Sequence, residues 1–177
     1  MKRQADKDYV ETLSVEDRKR YHRKIADIGV DPYSLSTKTL NSDSSALPPI
    51  QYYDVYHYLV LSRSFYTSEQ FQAYKSLESY NQFVNGWVGE VCSSVFSDKV
   101  LILAKVKHSQ SLSQKPLRPW VICEATGSIL SAHCNCMAGL GEVCSHVGAL
   151  LFYCEAAARL SASTTCTQQK AKWILQQ

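Results

Sequence analysis

Three cysteines and one histidine in this chain follow the pattern Cys-x-Cys-x7-Cys-x-His, at Cys134, Cys136, Cys144 and His146. Three thiolates and one imidazole make a complete set of four ligands for a structural zinc ion. This pattern constrains the fold more than any other feature, because four side chains from two separated pairs must converge on one point. The alternative is that these are ordinary buried thiols, which need no such spacing.

The sequence around the four residues explains how they would meet. Residues 128–136 have the pattern of a strand, on which side chains two positions apart point the same way, so Cys134 and Cys136 should face one side. His133 should then point to the opposite side. The glycines within 137–141 permit a sharp turn, and an apolar helix should begin near Cys144 and run to about Arg159. We therefore predict a strand, a turn and a helix, with two ligands on each side of the turn.

The segment HCNCMAGLGEVCSH, residues 133–146, resembles the SWIM-type zinc finger, whose pattern is Cys-x-Cys, a variable gap and Cys-x-His. The resemblance extends over roughly residues 97–160, and all four ligand positions are filled. It implies a β-β-α arrangement, one structural Zn²⁺ ion and a role in binding nucleic acid or protein. The segments AYKSLE, residues 73–78, and KPLRPWV, residues 115–121, resemble animal SWIM proteins in which the finger precedes a phage-recombinase-like exonuclease domain, and we do not expect that domain within these 177 residues.

Length and composition restrict the class of protein. The 177 residues, 45% of them hydrophobic, suit one domain, or one domain with a small appendage. No apolar run approaches the roughly 20 residues that span a bilayer, and the first residues, MKRQADKD, do not resemble a secretory signal, so we expect no membrane partner. Seven cysteines, three of them at metal spacing, favour a reducing compartment, nuclear or cytoplasmic, over a disulfide framework.

We predict an α+β fold, in which N-terminal helices are followed by a small antiparallel sheet and a β-β-α SWIM-type zinc finger. The predicted segments are a basic N-terminal helical segment (1–33), a linker (34–49), a helical region with an extended segment (50–96), the zinc finger (97–160) and a C-terminal tail (161–177). The tail stops on an apolar stretch without a terminating signal, so we expect longer relatives.

Three helices are predicted before the sheet. Ser14 should cap a helix over 15–28, and the five cations within 18–24 are either a solvated helix face or an arm that contacts phosphates. A short helix over 50–61 carries several tyrosines, which either pack with their hydroxyls at the surface or stack on bases. A third helix is expected over 67–81, followed by an extended segment over 83–91.

A hairpin of two strands, 100–108 and 120–125, should lead into the strand that carries the first cysteines. Between Lys99 and Trp120 the chain has five basic residues and no acidic one. The candidate nucleic-acid-binding residues are therefore Lys99, Lys105, Lys107, Lys115 and Arg118. Such a stripe would contact several phosphates and bind more weakly as salt rises. The alternative is a strand face that only keeps the protein soluble.

The sequence predicts a zinc-stabilised module that binds nucleic acid, DNA before RNA, through the basic hairpin beside the metal. The alternative is a protein–protein interaction module, in which the tyrosine-rich helix and the finger dock a nuclease domain or another partner. We do not expect an enzyme, because four protein ligands leave a zinc ion no open position. Glu142 and Glu155 are also the only acidic residues after Glu124, too few for a magnesium-dependent nuclease site.

Overall fold

A computed structural model describes residues 9–61, 69–108, 114–137 and 144–163, with the side chains of 69–76 excepted. The helices are α1 (Tyr9–Thr12), α2 (Val15–Lys24), α3 (Tyr52–Tyr56), α4 (Glu69–Val84) and α5 (Ser145–Ser163). The strands are β1 (Val88–Phe96), β2 (Lys99–Val106), β3 (Trp120–Glu124) and β4 (Ile129–His133). They form one four-stranded antiparallel sheet in the order β1-β2-β3-β4. The prediction of an α+β fold is confirmed.

The sheet is buried on both of its faces. Alternate residues of β2 face opposite ways, so Val100, Ile102 and Ala104 pack in one core cluster, whereas Leu101 and Leu103 pack in another. The first cluster lies against α5 and the chain around α3, and the second lies against the N-terminal segment. The sheet is therefore the middle of three layers, and its two central strands, β2 and β3, are almost continuously apolar, as expected for strands covered on both sides.

The N-terminal segment forms the layer on the second face. The predicted cap of α2 is correct, since Ser14 Oγ accepts the backbone N–H of Asp17 at 3.1 Å. The helix ends at Lys24, before the predicted 28, and Gly29 then adopts a φ of 63° that turns the chain. The apolar side of this basic segment packs on the sheet. The segment contributes Tyr21, Ile25, Ile28 and Tyr33 to a core cluster whose sheet residues are Leu101, Leu103, Trp120 and Ile122.

Helices α4 and α5 pack closely on the other face. A Cβ on Gly148 of α5 would lie 2.6 Å from Ser79 Cβ of α4, so only glycine allows this approach. Helix α4 continues to Val84, so Phe83 is helical, and the extended segment begins only at Val88 rather than at 83 as predicted. Although α5 has 19 residues, none of the helices in the described ranges is both long and apolar enough to cross a membrane.

The segment 34–49, predicted as a linker, contacts the sheet at the edge strand β1 and at the turn between β3 and β4. Asn41 pairs with Ser93 of β1 through two backbone hydrogen bonds of 2.9 and 2.7 Å. At its far end the backbone of Pro49 lies against Gly127, where a Cβ would meet the Pro49 carbonyl oxygen at 2.7 Å.

Helix α3 then continues into one π-helical turn, His57–Leu61. The division of the chain into the five predicted segments stays a prediction.

Substitution of Tyr21 tests whether the N-terminal layer is part of the folded unit. Tyr21 is 1% exposed, so Tyr21→Ala should lower the free energy of unfolding by about 3–5 kcal/mol, as expected for the loss of a large buried ring. The matched control is Tyr53→Ala, at a site 68% exposed, which should change it by less than about 0.5 kcal/mol. Urea unfolding measures both. If both substitutions lower the free energy of unfolding by the same small amount, the N-terminal segment does not stabilise the sheet.

Candidate metal centre

The four sequence-predicted ligands meet in space. One ligand atom from each of Cys134, Cys136, Cys144 and His146 lies within 4.8 Å of the other three. A tetrahedral site with Zn–S bonds of about 2.3 Å separates its sulfurs by about 3.8 Å. The cluster therefore has the dimensions of a site that could hold one metal ion with only small side-chain adjustments.

The first ligand pair lies just beyond the end of β4. The strand ends at His133, so Cys134 and Cys136 are not on it, and the prediction of a strand through 136 is wrong at this end. Asn135, between them, accepts the backbone N–H of Arg118 through its side-chain oxygen at 2.8 Å. That bond ties the chain between the two cysteines to the segment that leads into β3. The sequence feature that could have indicated this hydrogen bond is the asparagine between the two cysteines.

The second ligand pair lies at the start of α5. Cys144 immediately precedes the helix, and its sulfur accepts the backbone N–H of Val147 at 3.4 Å. Its carbonyl oxygen accepts the N–H of Gly148 at 3.1 Å, so the residue caps the helix in the way that serine often does. The positive end of a helix dipole stabilises a thiolate at this position. The predicted turn between the two pairs falls largely on residues 138–143, which lie outside the described residues.

His146 is buried without a hydrogen-bond partner. The residue is 7% exposed, and neither of its ring nitrogens has a hydrogen-bond partner in the described ranges. Buried polar atoms in proteins are almost always hydrogen-bonded, because leaving one unpaired costs about 1–3 kcal/mol. A metal ion bound to one nitrogen removes that cost. The unpartnered imidazole is thus an observation, separate from the spacing, that fits a metal ligand.

The three thiols are also arranged for a cation. Burial raises the pKa of Cys134 well above its usual range, because a thiolate loses its hydration there. The neighbouring Cys134 and Cys144 side chains instead lower the pKa of Cys136, so a thiolate is favoured there beside two other sulfurs. Three thiolates cannot share this space without a positive charge to balance them. A divalent ion supplies that charge, and binding it releases the remaining protons.

His133 is not part of the cluster, in agreement with its predicted orientation. Its Nε2 lies 2.9 Å from the Tyr9 hydroxyl, and its Nδ1 lies 3.5 Å from the Lys24 ammonium. Burial, together with the charge of Lys24, lowers the pKa of His133 to about 3, so the ring is neutral at pH 7. A neutral ring with Nε2–H can donate to Tyr9 and accept from Lys24. Nothing in the sequence indicated that these N-terminal residues support the strand leading to the metal.

Two of the five predicted nucleic-acid-binding residues are paired with acids. Lys99 contacts Asp98 at 2.9 Å and Glu124 at 3.6 Å, at the end of the hairpin opposite its connecting loop. Lys105 forms an ion pair with Glu90 of β1. Because these acids lie beside the two lysines, the five basic residues do not form one uniform positive stripe. Glu90 and Glu124 are distant from the lysines in sequence, so the sequence alone could not indicate these ion pairs.

The other three predicted residues lie toward the metal end of the hairpin. Lys107 and Lys115 are exposed, and neither forms an ion pair with an acid within the described ranges. The Arg118 guanidinium lies 5.5 Å from the centre of the Tyr33 ring, a distance typical of a cation–π contact. Lys107 and Lys115 therefore remain the better candidates for contact with a phosphate.

Comparison of the chain with protein-family models, with curated proteins and with solved structures gives no significant match. The resemblance to SWIM-type fingers therefore depends on the residues of the motif alone. The case for a metal site depends on the geometry and burial of the four ligand residues.

Removal of one ligand should abolish metal binding. We expect native mass spectrometry to show one divalent ion per chain, and Cys136→Ser to lose it, because serine is a poor ligand where a thiolate is required. A chelator should remove the ion from the wild-type chain and unfold at least the corner formed by β4 and α5.

The matched control is Cys154→Ala, which removes a buried thiol of the same helix outside the cluster and should retain one ion. A wild-type chain without metal after expression with zinc, or a Cys136→Ser chain that still binds one ion, would contradict the assignment.

Proposed function

We propose that the ion is zinc, and that its role is structural. Three sulfurs and one imidazole are ligands that zinc prefers, and they complete a tetrahedron. With four protein ligands the ion has no position for water or substrate, so the module would act by binding and not by catalysis. The observation that carries this part of the proposal is the cluster of four ligand atoms, in which the buried His146 has no hydrogen-bond partner among the described residues.

We infer that the module binds nucleic acid through the end of the hairpin beside the metal. Val106 and Leu117 pair through backbone bonds of 2.9 and 2.8 Å, which places Lys105 opposite Arg118 in antiparallel register. The backbone of Arg118 is bonded to Asn135, between two ligand cysteines, so the metal corner fixes the position of this end of the hairpin. Cations held on a rigid element suit phosphate contacts.

Further cations lie on the N-terminal layer, which covers the same face of the sheet as Lys105. Lys19 and Arg23 of α2 are exposed, whereas Tyr21 between them is buried against the sheet. This surface supports sequence-independent contacts with a phosphate backbone, and we favour DNA over RNA as the ligand. We define the basic surface as Lys19, Arg23, Lys107, Lys115 and Arg118.

A protein-interaction role is the second candidate, and it is favoured by a different surface. Tyr52, Tyr53 and Tyr56 of α3 are 64%, 68% and 47% exposed. Exposed tyrosines grouped on one short helix are typical of protein interfaces. This patch lies beside the turn between β3 and β4, where Tyr53 and Ser128 line one small pocket, whereas the predicted ligands follow the opposite end of β4. A nuclease domain or another protein would then dock on the tyrosines.

Charge reversal on the basic surface tests the first candidate. Lys107→Glu combined with Lys115→Glu should weaken binding to duplex DNA at least about tenfold at low salt, because phosphate contacts dominate such affinity. The control is Lys99→Glu combined with Arg159→Glu, which changes the net charge equally. Lys99 and Arg159 are already ion-paired with acids, so the control variant should weaken binding less. Fluorescence anisotropy at several salt concentrations measures both.

Two outcomes would reject DNA binding by this surface. One is an affinity that stays constant between low and moderate salt, and the other is an equal loss in both double variants. If DNA does not bind at all, the tyrosine patch becomes the favoured interface, and Tyr52→Ala with Tyr53→Ala should then abolish binding to a partner without changing the metal content.

A further inference from the structure

A groove of about 450 Å³ lies on the side of the molecule formed by the end of α4, the last turns of α5 and the 3₁₀ turn Ser44–Ala46. The apolar residues that line it include Phe83, Tyr153, Ala157 and Leu160. Leu160 is 68% exposed, so the residues that the structure describes leave much of its side chain facing solvent. The groove is large enough to take one or two large apolar side chains.

We propose that the groove is occupied by the C-terminal segment of this same chain, residues 164–177, with Trp173 as the anchor. The segment begins where α5 ends, at Ser163, directly beyond the groove-lining residues of that helix. Its first part, TTCTQQ, is polar, and its apolar residues are concentrated in Trp173, Ile174 and Leu175. This composition is that of a short tether followed by an anchor.

The length of the tether suits this arrangement. Tyr153, the lining residue of α5 farthest from the end of the helix, precedes Ser163 by ten residues, or about 15 Å along the helix axis at 1.5 Å per residue. Ten extended residues, from Ser163 to Trp173, reach at most about 33–36 Å. The chain can therefore reverse direction after α5 and still place Trp173 anywhere along the groove.

Charge complementarity supports the same occupant. Asp43 lies at the rim, where its carboxylate accepts the backbone N–H of Ser45, a groove-lining residue, at 2.9 Å. The carboxylate is exposed, and Lys170 and Lys172 precede the anchor closely in the sequence of the segment. An anchor that brings a lysine beside this acid adds a surface ion pair, which favours the proposed occupant over an uncharged one.

Acrylamide quenching of Trp173 fluorescence tests the proposal on the full chain. The emission of Trp173 is obtained by subtracting the spectrum of Trp173→Phe from that of the wild type. We expect this component to be quenched several-fold less efficiently than in a free peptide of residues 164–177. Ala157→Arg fills part of the groove and should raise quenching to the level of the peptide. The matched control is Ala162→Arg, the same substitution at an exposed position of the same helix that does not line the groove, and it should leave the protection unchanged.

A second blocking variant keeps the test valid if Ala157→Arg does not fold. Ser45→Arg enters the groove from the exposed 3₁₀ turn and should have the same effect. The proposal is overturned if Trp173 is quenched as in the peptide, or if it is protected but insensitive to both groove variants. Protection that increases with protein concentration would assign the groove to the segment of a second copy and would also overturn it.

Discussion

The junction between β4 and α5 carries the strongest physical constraint in this molecule. Cys134 and Cys136 leave the end of the sheet as Cys144 and His146 enter the last helix, and their ligand atoms lie within 4.8 Å of one another. A buried imidazole that has no hydrogen-bond partner among the described residues is costly in an ordinary core, and so is a thiolate that loses its hydration there. One divalent ion would resolve both costs, and in doing so it would join a strand to a helix that follows it closely in sequence.

The residues just before Cys134 are held by the N-terminal layer, on the other face of the sheet. Beyond the end of β4 the chain continues to Cys134, while His133 is held by Tyr9 and Lys24 from the N-terminal layer. The Lys24 ammonium also donates to the carbonyl oxygen of Ala132 at 3.3 Å. The Cys/His cluster and the N-terminal layer therefore contact adjacent residues, Cys134 and His133. Burial of the sheet on both sides makes the basic segment part of the folded unit.

This arrangement changes how the positive charge can be used. Lys99 and Lys105 are partly neutralised by nearby acids, which leaves Lys107 and Lys115 as the stronger candidates for phosphate contact. At the other end of the sheet, three exposed tyrosines offer a surface of different chemistry. The molecule thus presents two separate surfaces, and the choice between nucleic acid and protein as the main partner depends on which surface is used.

Local patterns in the chain were sufficient to predict that Cys134, Cys136, Cys144 and His146 converge, and to predict the α+β class and the hairpin, because spacing, alternation and turn residues act over short distances. They also indicated the direction of His133, since neighbours on a strand point opposite ways. Three other features appear only once the chain is folded: α2 covers the second face of the sheet, Glu90 pairs with Lys105, and Gly148 lets Ser79 approach α5. These are contacts between elements that are far apart in sequence. They depend on which apolar faces pack together, and local sequence patterns do not encode that choice.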